Sequence, residues 1–324
     1  MTRYGYLLPT RGSVLSSTSA DALAARTHAD VIGLAERAEA LGFDAVWVGD
    51  SITAKPRHEP LTTLAGVATA TDAVDLGTAI FLPALRNPIH LAHQTATLDQ
   101  LSGGRFVFGV GVGIGPDAER EHDHLGVPFG RRGAVLDETL EALERLWEGE
   151  TTSYDGEFVS FDDASIGFEP SRSPPIYVAS GGFDPEGGLP GPIRDRILEF
   201  GDGWLPLAVS PDRYADGLAW LRDRLDEAGR DSDAFASAYY ADVVVRDDEA
   251  TAIEEARAFY DAYYPDWDVL SDEEIRARGA FGPPAQVAEV LDEYADAGAE
   301  EIVVRFVTTA GQRDQLGRFR DLLD

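Results

Sequence analysis

The sequence contains no cysteine, one methionine and one lysine in 324 residues. Without cysteine the chain can form no disulfide bond, bind no metal through a thiolate and use no thiol nucleophile. No stretch approaches the roughly 18 consecutive apolar residues of a membrane span, and the first residues do not have the pattern of a signal peptide. These absences predict a cytoplasmic protein and exclude several classes of enzyme.

Basic residues are also scarce, because 58 aspartates and glutamates face 27 lysines and arginines and the formal net charge is −31. The negative charge is spread along the chain, and such a field repels nucleic acid and anionic membranes. Dense negative charge is tolerated where salt shortens the screening length. The acid-rich, lysine-poor composition therefore predicts adaptation to a salt-rich cytoplasm, and we expect a halophilic, haloarchaeal source.

Eight short apolar runs alternate with segments of helical periodicity. Several runs are continuously apolar, as strands buried on both faces require. The alternation predicts an α/β fold, a (β/α)8 TIM barrel formed as a single domain by residues 1–324. The runs cover residues 3–9, 43–50, 74–82, 105–113, 175–182, 203–209, 238–245 and 300–307. The helical segments lie near residues 31–41, 88–102, 131–148, 191–201, 211–229, 248–263, 284–297 and 312–323.

An open Rossmann-like sheet is the alternative fold. Against it, PTRGSVLSS follows the first run, where a dinucleotide site needs a glycine-rich turn that leads directly into a helix. Two segments interrupt the repeat: residues 151–173 have the pattern of a short hairpin, and residues 264–282 precede the helical segment near 284–297. We expect both to be loop insertions, which serve as lids, dimer contacts or plain surface additions.

The loops after the strands form the candidate site, because the active site of a (β/α)8 barrel lies at the carboxyl ends of its strands. In GVGVG, residues 109–113, glycines alternate along the strand. Either the face without side chains admits a flat ring system, or the small residues simply fit the narrow interior of the barrel. The turn ASGG, residues 179–182, either offers backbone N–H groups to a phosphate or simply ends the strand. The loop GAFGPP leads into a helix N-terminus that attracts anions, and Arg276 and Arg278 are close in sequence.

Six segments resemble, in order and spacing, those of the luciferase-like monooxygenases and F420-dependent oxidoreductases. They are GFDAVWVGDS, EPLTTLAGVATATDAVDLGTAI, NPIHLAHQTATLDQLSGGRFVFGVGVG, PPIYVASGG, GDGWLP and ADAGAEEIVVRF. The resemblance implies an F420-dependent oxidoreductase that transfers a hydride between the deazaflavin and a small organic substrate. An FMN-dependent monooxygenase that uses oxygen is the first alternative, and a cofactor-binding barrel without catalysis is the second. The resemblance also implies a homodimer, and a flavin or F420 reductase is an expected partner.

The resemblance assigns the cofactor to particular residues. In the F420-dependent relatives a non-prolyl cis peptide bond backs the deazaflavin ring, and its position here is Ala79–Ile80. The loop after the fifth strand binds the phosphate or side chain of the cofactor in the relatives. The expected cofactor-binding residues are Ala79, Ile80, Gly111, Gly113, Ala179, Ser180, Gly181 and Gly182.

Two catalytic groups of the relatives are missing. Many relatives end the second strand with Asp-His, where this chain has Asp50 and Ser51, and Ile114 stands where the sugar-phosphate and alcohol dehydrogenases have a glutamate. The candidate catalytic residues are therefore Asp50, Ser51 and His58, and the competing interpretation of His58 is a solvated loop histidine.

Two further features fall on the same loops. Lys55 could meet a phosphate or carboxylate, or lie on the surface. His122 and His124 have the spacing of metal ligands, but the sequence shows no third ligand, so no metal site is predicted.

Overall fold

The computed structural model describes residues 2–11, 28–181, 188–264, 269–308 and 311–322. The strands are β1 (Arg3–Leu7), β2 (Ala45–Val48), β3 (Asp75–Thr78), β4 (Phe106–Val110), β5 (Thr152–Asp155), β6 (Ser160–Ala164), β7 (Ile176–Gly181), β8 (Gly203–Leu207), β9 (Ala236–Val245), β10 (Gly279–Gly282) and β11 (Glu301–Phe306). Nine of these strands form one sheet, and β5 and β6 form an antiparallel hairpin.

The helices among these residues are α1 (His28–Ala40), α2 (Pro60–Ala68), α3 (Pro88–Ser102), α4 (Gly115–His124), α5 (Arg132–Trp147), α6 (Gly191–Phe200), α7 (Pro211–Glu227), α8 (Glu249–Tyr263), α9 (Asp272–Arg276), α10 (Pro284–Asp296) and α11 (Gln312–Arg320). None of the described helices is both long enough and apolar enough to span a membrane.

Eight parallel strands close into a barrel in the order β1, β2, β3, β4, β7, β8, β9, β11 and back to β1. The predicted (β/α)8 barrel is confirmed, and the open Rossmann-like sheet is excluded. Seven of the eight apolar runs contain one barrel strand, and the run 238–245 covers all of β9 except its first two residues. The hairpin expected within residues 151–173 is present as β5 and β6.

The structure adds a ninth parallel strand, β10, within the segment that was expected to be an insertion. It pairs with the last part of β9, from Asp242 to Val245, beyond the final pairing of β8 with β9 at Tyr240. A Cβ at Gly279 would lie 1.8 Å from the carbonyl oxygen of Asp242, so only glycine fits this pairing. The short, glycine-bounded sequence GAFG carries no strand pattern, which is why the periodicity missed it.

The sequence reading also missed α2, the helix that follows β2. The Glu59 carboxylate accepts hydrogen bonds from the backbone N–H groups of Leu61 and Thr62, at 3.3 and 2.7 Å, and Pro60 occupies the first turn. A capping acceptor followed by proline is a recognised helix start. The sequence at residues 59–60 therefore indicates the start of a helix, although the spacing of apolar residues there does not.

The barrel interior below the carboxyl ends of the strands is filled by the indole of Trp47. A Cβ at Gly5 would lie 2.3 Å from its Nε1, and a Cβ at Gly77 would lie 2.0 Å from its Cε3. Glycine on β1 and β3 therefore makes room for tryptophan on β2. The indole N–H donates to Glu301 Oε1 at 2.8 Å, and the ring centroid lies 6.0 Å from that of Tyr177. Val107, Leu205 and Val303 pack in the same interior cluster.

We expect Glu301→Gln to remove part of the pH dependence of folding stability. Burial raises the pKa of Glu301 from 4.5 to about 7, so between these values the folded chain keeps a proton that the unfolded chain releases. The free energy of unfolding therefore falls as the pH rises through this window, by about 3 kcal/mol. The glutamine variant can still accept the indole hydrogen bond but should not show this decrease. Chemical denaturation at pH 4.5 and 7.5 in constant salt measures the difference.

Glu254→Gln is the matched control, since it removes one exposed carboxylate from α8. Burial and nearby carboxylates also raise the pKa of Glu144 to about 7, so a residual slope should persist in both variants. Identical slopes in the wild type and the Glu301 variant would contradict the assignment.

Candidate active site

A cavity of about 400 Å³ lies at the carboxyl ends of the barrel strands. Its size is within the range of ligand-binding pockets, roughly 300–1,000 Å³. Gly182 lies outside the described residues. The other seven residues predicted to bind the cofactor all line this cavity: Ala79, Ile80, Gly111, Gly113, Ala179, Ser180 and Gly181. One cavity thus brings together residues from three separate strand ends.

The wall at the end of β3 contains the cis peptide bond between Ala79 and Ile80, as predicted. Neighbouring strands hold this segment on both sides. The Ala79 N–H donates to the carbonyl of Val48 at 2.7 Å, and the carbonyl of Ile80 accepts from the N–H of Asp50 at 3.0 Å. On the other side, the Phe81 N–H donates to the carbonyl of Gly109 at 2.8 Å.

The three alternating glycines at and just after the end of β4 serve different structural purposes. A Cβ at Gly109 would lie 1.9 Å from the carbonyl oxygen of Thr78, so this glycine permits close packing of two strands. A Cβ at Gly111 would lie 2.1 Å from Cδ1 of Ile80, which itself lines the cavity. Gly113 has φ of +68°, a conformation that favours glycine. Gly109 therefore serves the barrel, whereas Gly111 and Gly113 shape the cavity.

At the end of β7, alternate side chains face opposite sides of the barrel wall. The buried Ser180 hydroxyl accepts a hydrogen bond from Trp204 Nε1 at 2.9 Å, in the layer between strands and helices. The side chain of Ser180 is thus occupied by the fold, and a ligand would meet its backbone. Among the described residues beyond its chain neighbours, no atom lies within 4 Å of a Cβ built at Gly181, which leaves open space at the end of β7.

Arginines dominate the charge of the cavity wall. Asp242 is the one carboxylate among the described lining residues, and it is bound by Arg305 through Nε at 2.5 Å and Nη2 at 2.6 Å. Burial by itself lowers the pKa of Arg305, but Asp242 and nearby tyrosines raise it well above the ordinary value. The guanidinium therefore stays charged. The lining arginines are Arg132, Arg196, Arg278 and Arg305. The wall carries a net positive charge in a strongly acidic protein, so it favours an anionic ligand.

Sequence reasoning missed most of these charged residues. Tyr240 and Asp242 on β9, and Arg305 on β11, occupy the inward positions of strands that are otherwise apolar. A polar residue at an inward position near the carboxyl end of a barrel strand was the available signal. Arg278 lines the cavity, whereas the Nε of Arg276 donates to Glu249 at 2.8 Å outside it.

Asp50 lies behind the cavity wall. Its carboxylate is fully buried and accepts hydrogen bonds from the N–H of Leu82 at 3.0 Å and from Nη2 of Arg86 at 2.8 Å. Burial raises the pKa of Asp50, and Arg86 partly offsets this effect. Asp50 therefore joins the loop after β2 to the loop after β3 and, in this structure, does not line the cavity.

Ser51 belongs to a second hydrogen-bonded loop framework. Its hydroxyl donates to Glu121 Oε1 at 3.0 Å and accepts from the N–H of Lys55 at 2.8 Å. The same carboxylate oxygen accepts the N–H groups of Ile52 and Thr53. Burial raises the pKa of Glu121, but these hydrogen bonds outweigh it and the net shift is downward. Glu121 was not foreseen, because it lies on α4, 70 residues away in the chain.

The remaining candidates are histidines. His58 is half-buried in the loop after β2 and, like Ser51, is not among the described residues that line the cavity. His122 is buried, with Nδ1 2.7 Å from the carbonyl oxygen of Ala118, and His124 contacts Thr53. No cluster of metal-binding side chains is found in the described parts of the chain.

Fold and site together define a TIM-barrel protein with a glycine-lined, cationic ligand cavity at the carboxyl ends of its strands. Residues 2–301 match the luciferase-like monooxygenase family, and the chain belongs to that family.

Two curated relatives illustrate the similarity. The chain is 30% identical to the 5,10-methylenetetrahydromethanopterin reductase of Archaeoglobus fulgidus over 221 residues, which is 68% of this chain and 61% of that protein. It is 30% identical to the F420-dependent glucose-6-phosphate dehydrogenase of Kineococcus radiotolerans over 287 residues, 85% of this chain and 78% of that protein.

Solved structures agree on the fold. An F420-dependent secondary alcohol dehydrogenase, in complex with an F420–acetone adduct, superimposes with a TM-score of 0.80 at 20% sequence identity. The superposition covers 99% of this chain and 98% of the dehydrogenase chain. The monooxygenase RslO1 from Streptomyces bottropensis superimposes with a TM-score of 0.79 at 22% identity, with the same coverage.

We expect Gly109→Ala to destabilise the barrel, because its methyl group would collide with the Thr78 carbonyl oxygen. Overpacking of this kind costs about 1–3 kcal/mol. Gly317→Ala on α11 is the control, since no atom lies within 4 Å of a Cβ there and alanine favours a helix. Urea denaturation measures both. Equal stability of the two variants would contradict the close approach of β3 and β4.

We expect Asp50→Ala to cost about 3–5 kcal/mol of stability, because it leaves the nearly buried Arg86 without its carboxylate. Asp117→Ala removes an Asp–Arg pair on α4 in which the arginine is exposed and the aspartate half-buried, and it should cost less than about 1 kcal/mol. Thermal or chemical denaturation distinguishes the two. If Asp50→Ala lost turnover but kept full stability, Asp50 would act in chemistry and not in holding the loops.

Proposed function

We propose that this chain is an F420-dependent oxidoreductase that transfers a hydride between the deazaflavin and a small organic substrate. One observation carries the proposal: a single cavity is lined by all seven described residues that the family resemblance assigns to the cofactor. The name of one curated relative supports the same cofactor, since the glucose-6-phosphate dehydrogenase is named as F420-dependent.

The cavity fits such a cofactor in shape and charge. Gly111 and Gly113 leave a wall without side chains, where a flat ring can approach the backbone. The backbone of residues 179–181 and the guanidinium group of Arg132 line the same cavity and can receive a phosphate, whereas Arg196 is already paired with Asp137. A bound deazaflavin accepts or donates a hydride at C5.

The chain's own part in the reaction is to hold the reactants face to face and to exclude water. The carboxylate oxygens of Asp242 are occupied by three hydrogen bonds, which Arg305 and the hydroxyl of Tyr260 donate. The role of Asp242 is to neutralise and orient Arg305. Asp50 and Ser51 act as positioning residues through Arg86 and Glu121, and His58 is our candidate for proton transfer.

We further propose the setting in which the protein works. The net charge of −31 supports a salt-rich cytoplasm and a halophilic, haloarchaeal source. A homodimer and a separate reductase that recycles the cofactor follow from the family pattern and belong to the same proposal.

Titration with F420 and with FMN in separate experiments tests the cofactor. We expect saturable binding of F420 at high salt, followed by fluorescence, and much weaker binding of FMN. Gly181→Asp should raise the Kd for F420 about tenfold, because a carboxylate at the turn repels the cofactor's phosphate. Gly181→Ala should leave the Kd nearly unchanged, since open space surrounds that position.

Three results would contradict this function, each in a different way. Tight FMN binding with oxygen-dependent turnover would establish the flavin monooxygenase alternative. Tight F420 binding without turnover across a broad panel of alcohols and carbonyl compounds would establish a non-catalytic barrel. Equal weakening by both Gly181 substitutions would place the phosphate elsewhere.

A further inference from the structure

Three cationic side chains lie together at the carboxyl ends of β1 and β2. Arg11 follows β1, and Lys55 and Arg57 belong to the loop after β2. The guanidinium carbon of Arg11 is 4.0 Å from the ring centroid of Tyr263, and Nζ of Lys55 is 4.9 Å from that of Tyr264. Burial lowers the pKa of both Arg11 and Lys55, and the neighbouring cations lower it further. The three positive charges therefore repel one another across a short distance.

Within the described residues these charges are offset only in part, by Asp117 near Lys55 and by Tyr263 beside Arg11. Arg11 is only 7% exposed, and its Nε and Nη1 donate no hydrogen bond to any described group. Among the same residues, neither Lys55 nor Arg57 has a carboxylate within salt-bridge distance, although the chain carries 58 acidic side chains. A buried guanidinium without a negative partner is costly. Within the described residues, the cluster therefore keeps an excess of positive charge that a bound anion would offset.

The cluster borders the cavity already described. A Cβ at Gly49 would lie 2.3 Å from Nη1 of Arg57 and 3.4 Å from the carbonyl oxygen of Ala79. Ala79, which like Arg57 lies beside Gly49, and Tyr264, which lies beside Lys55, both line the cavity. Glycine at position 49 thus allows the Arg57 guanidinium to lie over the end of β2, beside the cavity wall.

The cluster also lies on the opposite side of the barrel from the carboxyl end of β7. Counting from one strand to the next around the closed barrel, β7 is the fourth strand from β1 in either direction. Arg11 follows β1, so it is on the side opposite the backbone of residues 179–181. Two anion-binding regions at opposite sides of one barrel mouth suit two different ligands, the cofactor and its substrate.

We propose that Arg11, Lys55 and Arg57 bind a negatively charged group of the substrate, a carboxylate or a phosphate. Guanidinium groups bind such oxyanions through paired N–H donors, and the ammonium group adds a point charge. The substrate class is then an alcohol or carbonyl compound that also carries an acid group. This inference rests on the proposed function, because it leaves the β7 side to the cofactor.

Isothermal titration with inorganic phosphate at constant ionic strength tests the cluster directly. Arg57→Gln and Lys55→Gln should each raise the Kd for phosphate about tenfold, which corresponds to the loss of one charge-assisted contact. Arg224→Gln, which removes an exposed arginine from α7, should leave the Kd unchanged. Arg11 is left intact because its burial puts folding at risk, and circular dichroism confirms that the variants fold. Equal phosphate affinity in all four proteins would overturn the site.

Titration of the same variants with F420 separates the two sources of the anion. We expect Arg57→Gln and Lys55→Gln to bind F420 as the wild type does, while phosphate binding is weakened. If F420 affinity fell in parallel with phosphate affinity, the anion would belong to the cofactor and the substrate assignment would be wrong. A wild-type protein that bound phosphate at the cluster but no F420 would contradict the proposed function and not the anion site.

Discussion

The indole of Trp47 is the constraint on which the interior of this barrel depends. It extends from β2 across the space in front of β1 and β3, where Gly5 and Gly77 carry no side chain that would block it. Its N–H is satisfied by Glu301, a carboxylate buried on β11. Because a close-packed interior leaves no room beside this ring, the cavity can form only above it, at the carboxyl ends of the strands.

The rim of the cavity depends on two buried carboxylates that hold loops and do not touch the cavity. Asp50 joins the loop after β2 to Arg86, and Glu121 binds successive N–H groups of the loop that begins at Ser51. Through its hydroxyl, Ser51 is part of this loop framework, and the cations Lys55 and Arg57 belong to the same loop.

Charge is distributed very unevenly in the molecule. The chain as a whole carries −31, yet the described cavity wall combines four arginines with one aspartate. A cationic cavity within an anionic surface concentrates small anions at the one place where arginine side chains converge. Salt screens the outer charges more strongly than the partly buried ones, so the contrast persists in concentrated salt.

The sequence by itself determined the barrel, its strand order along the chain, the hairpin after α5 and the glycine-rich strand ends, because periodicity and local small residues follow directly from backbone geometry. It did not reveal β10, since GAFG becomes a strand only against the edge of β9. Nor did it reveal the roles of Asp50, Glu121, Asp242 and Arg305, or the clustering of Arg11 with Lys55 and Arg57. Those roles were decided by tertiary structure alone, because the partners of a buried charge come from strands and helices far apart in the chain.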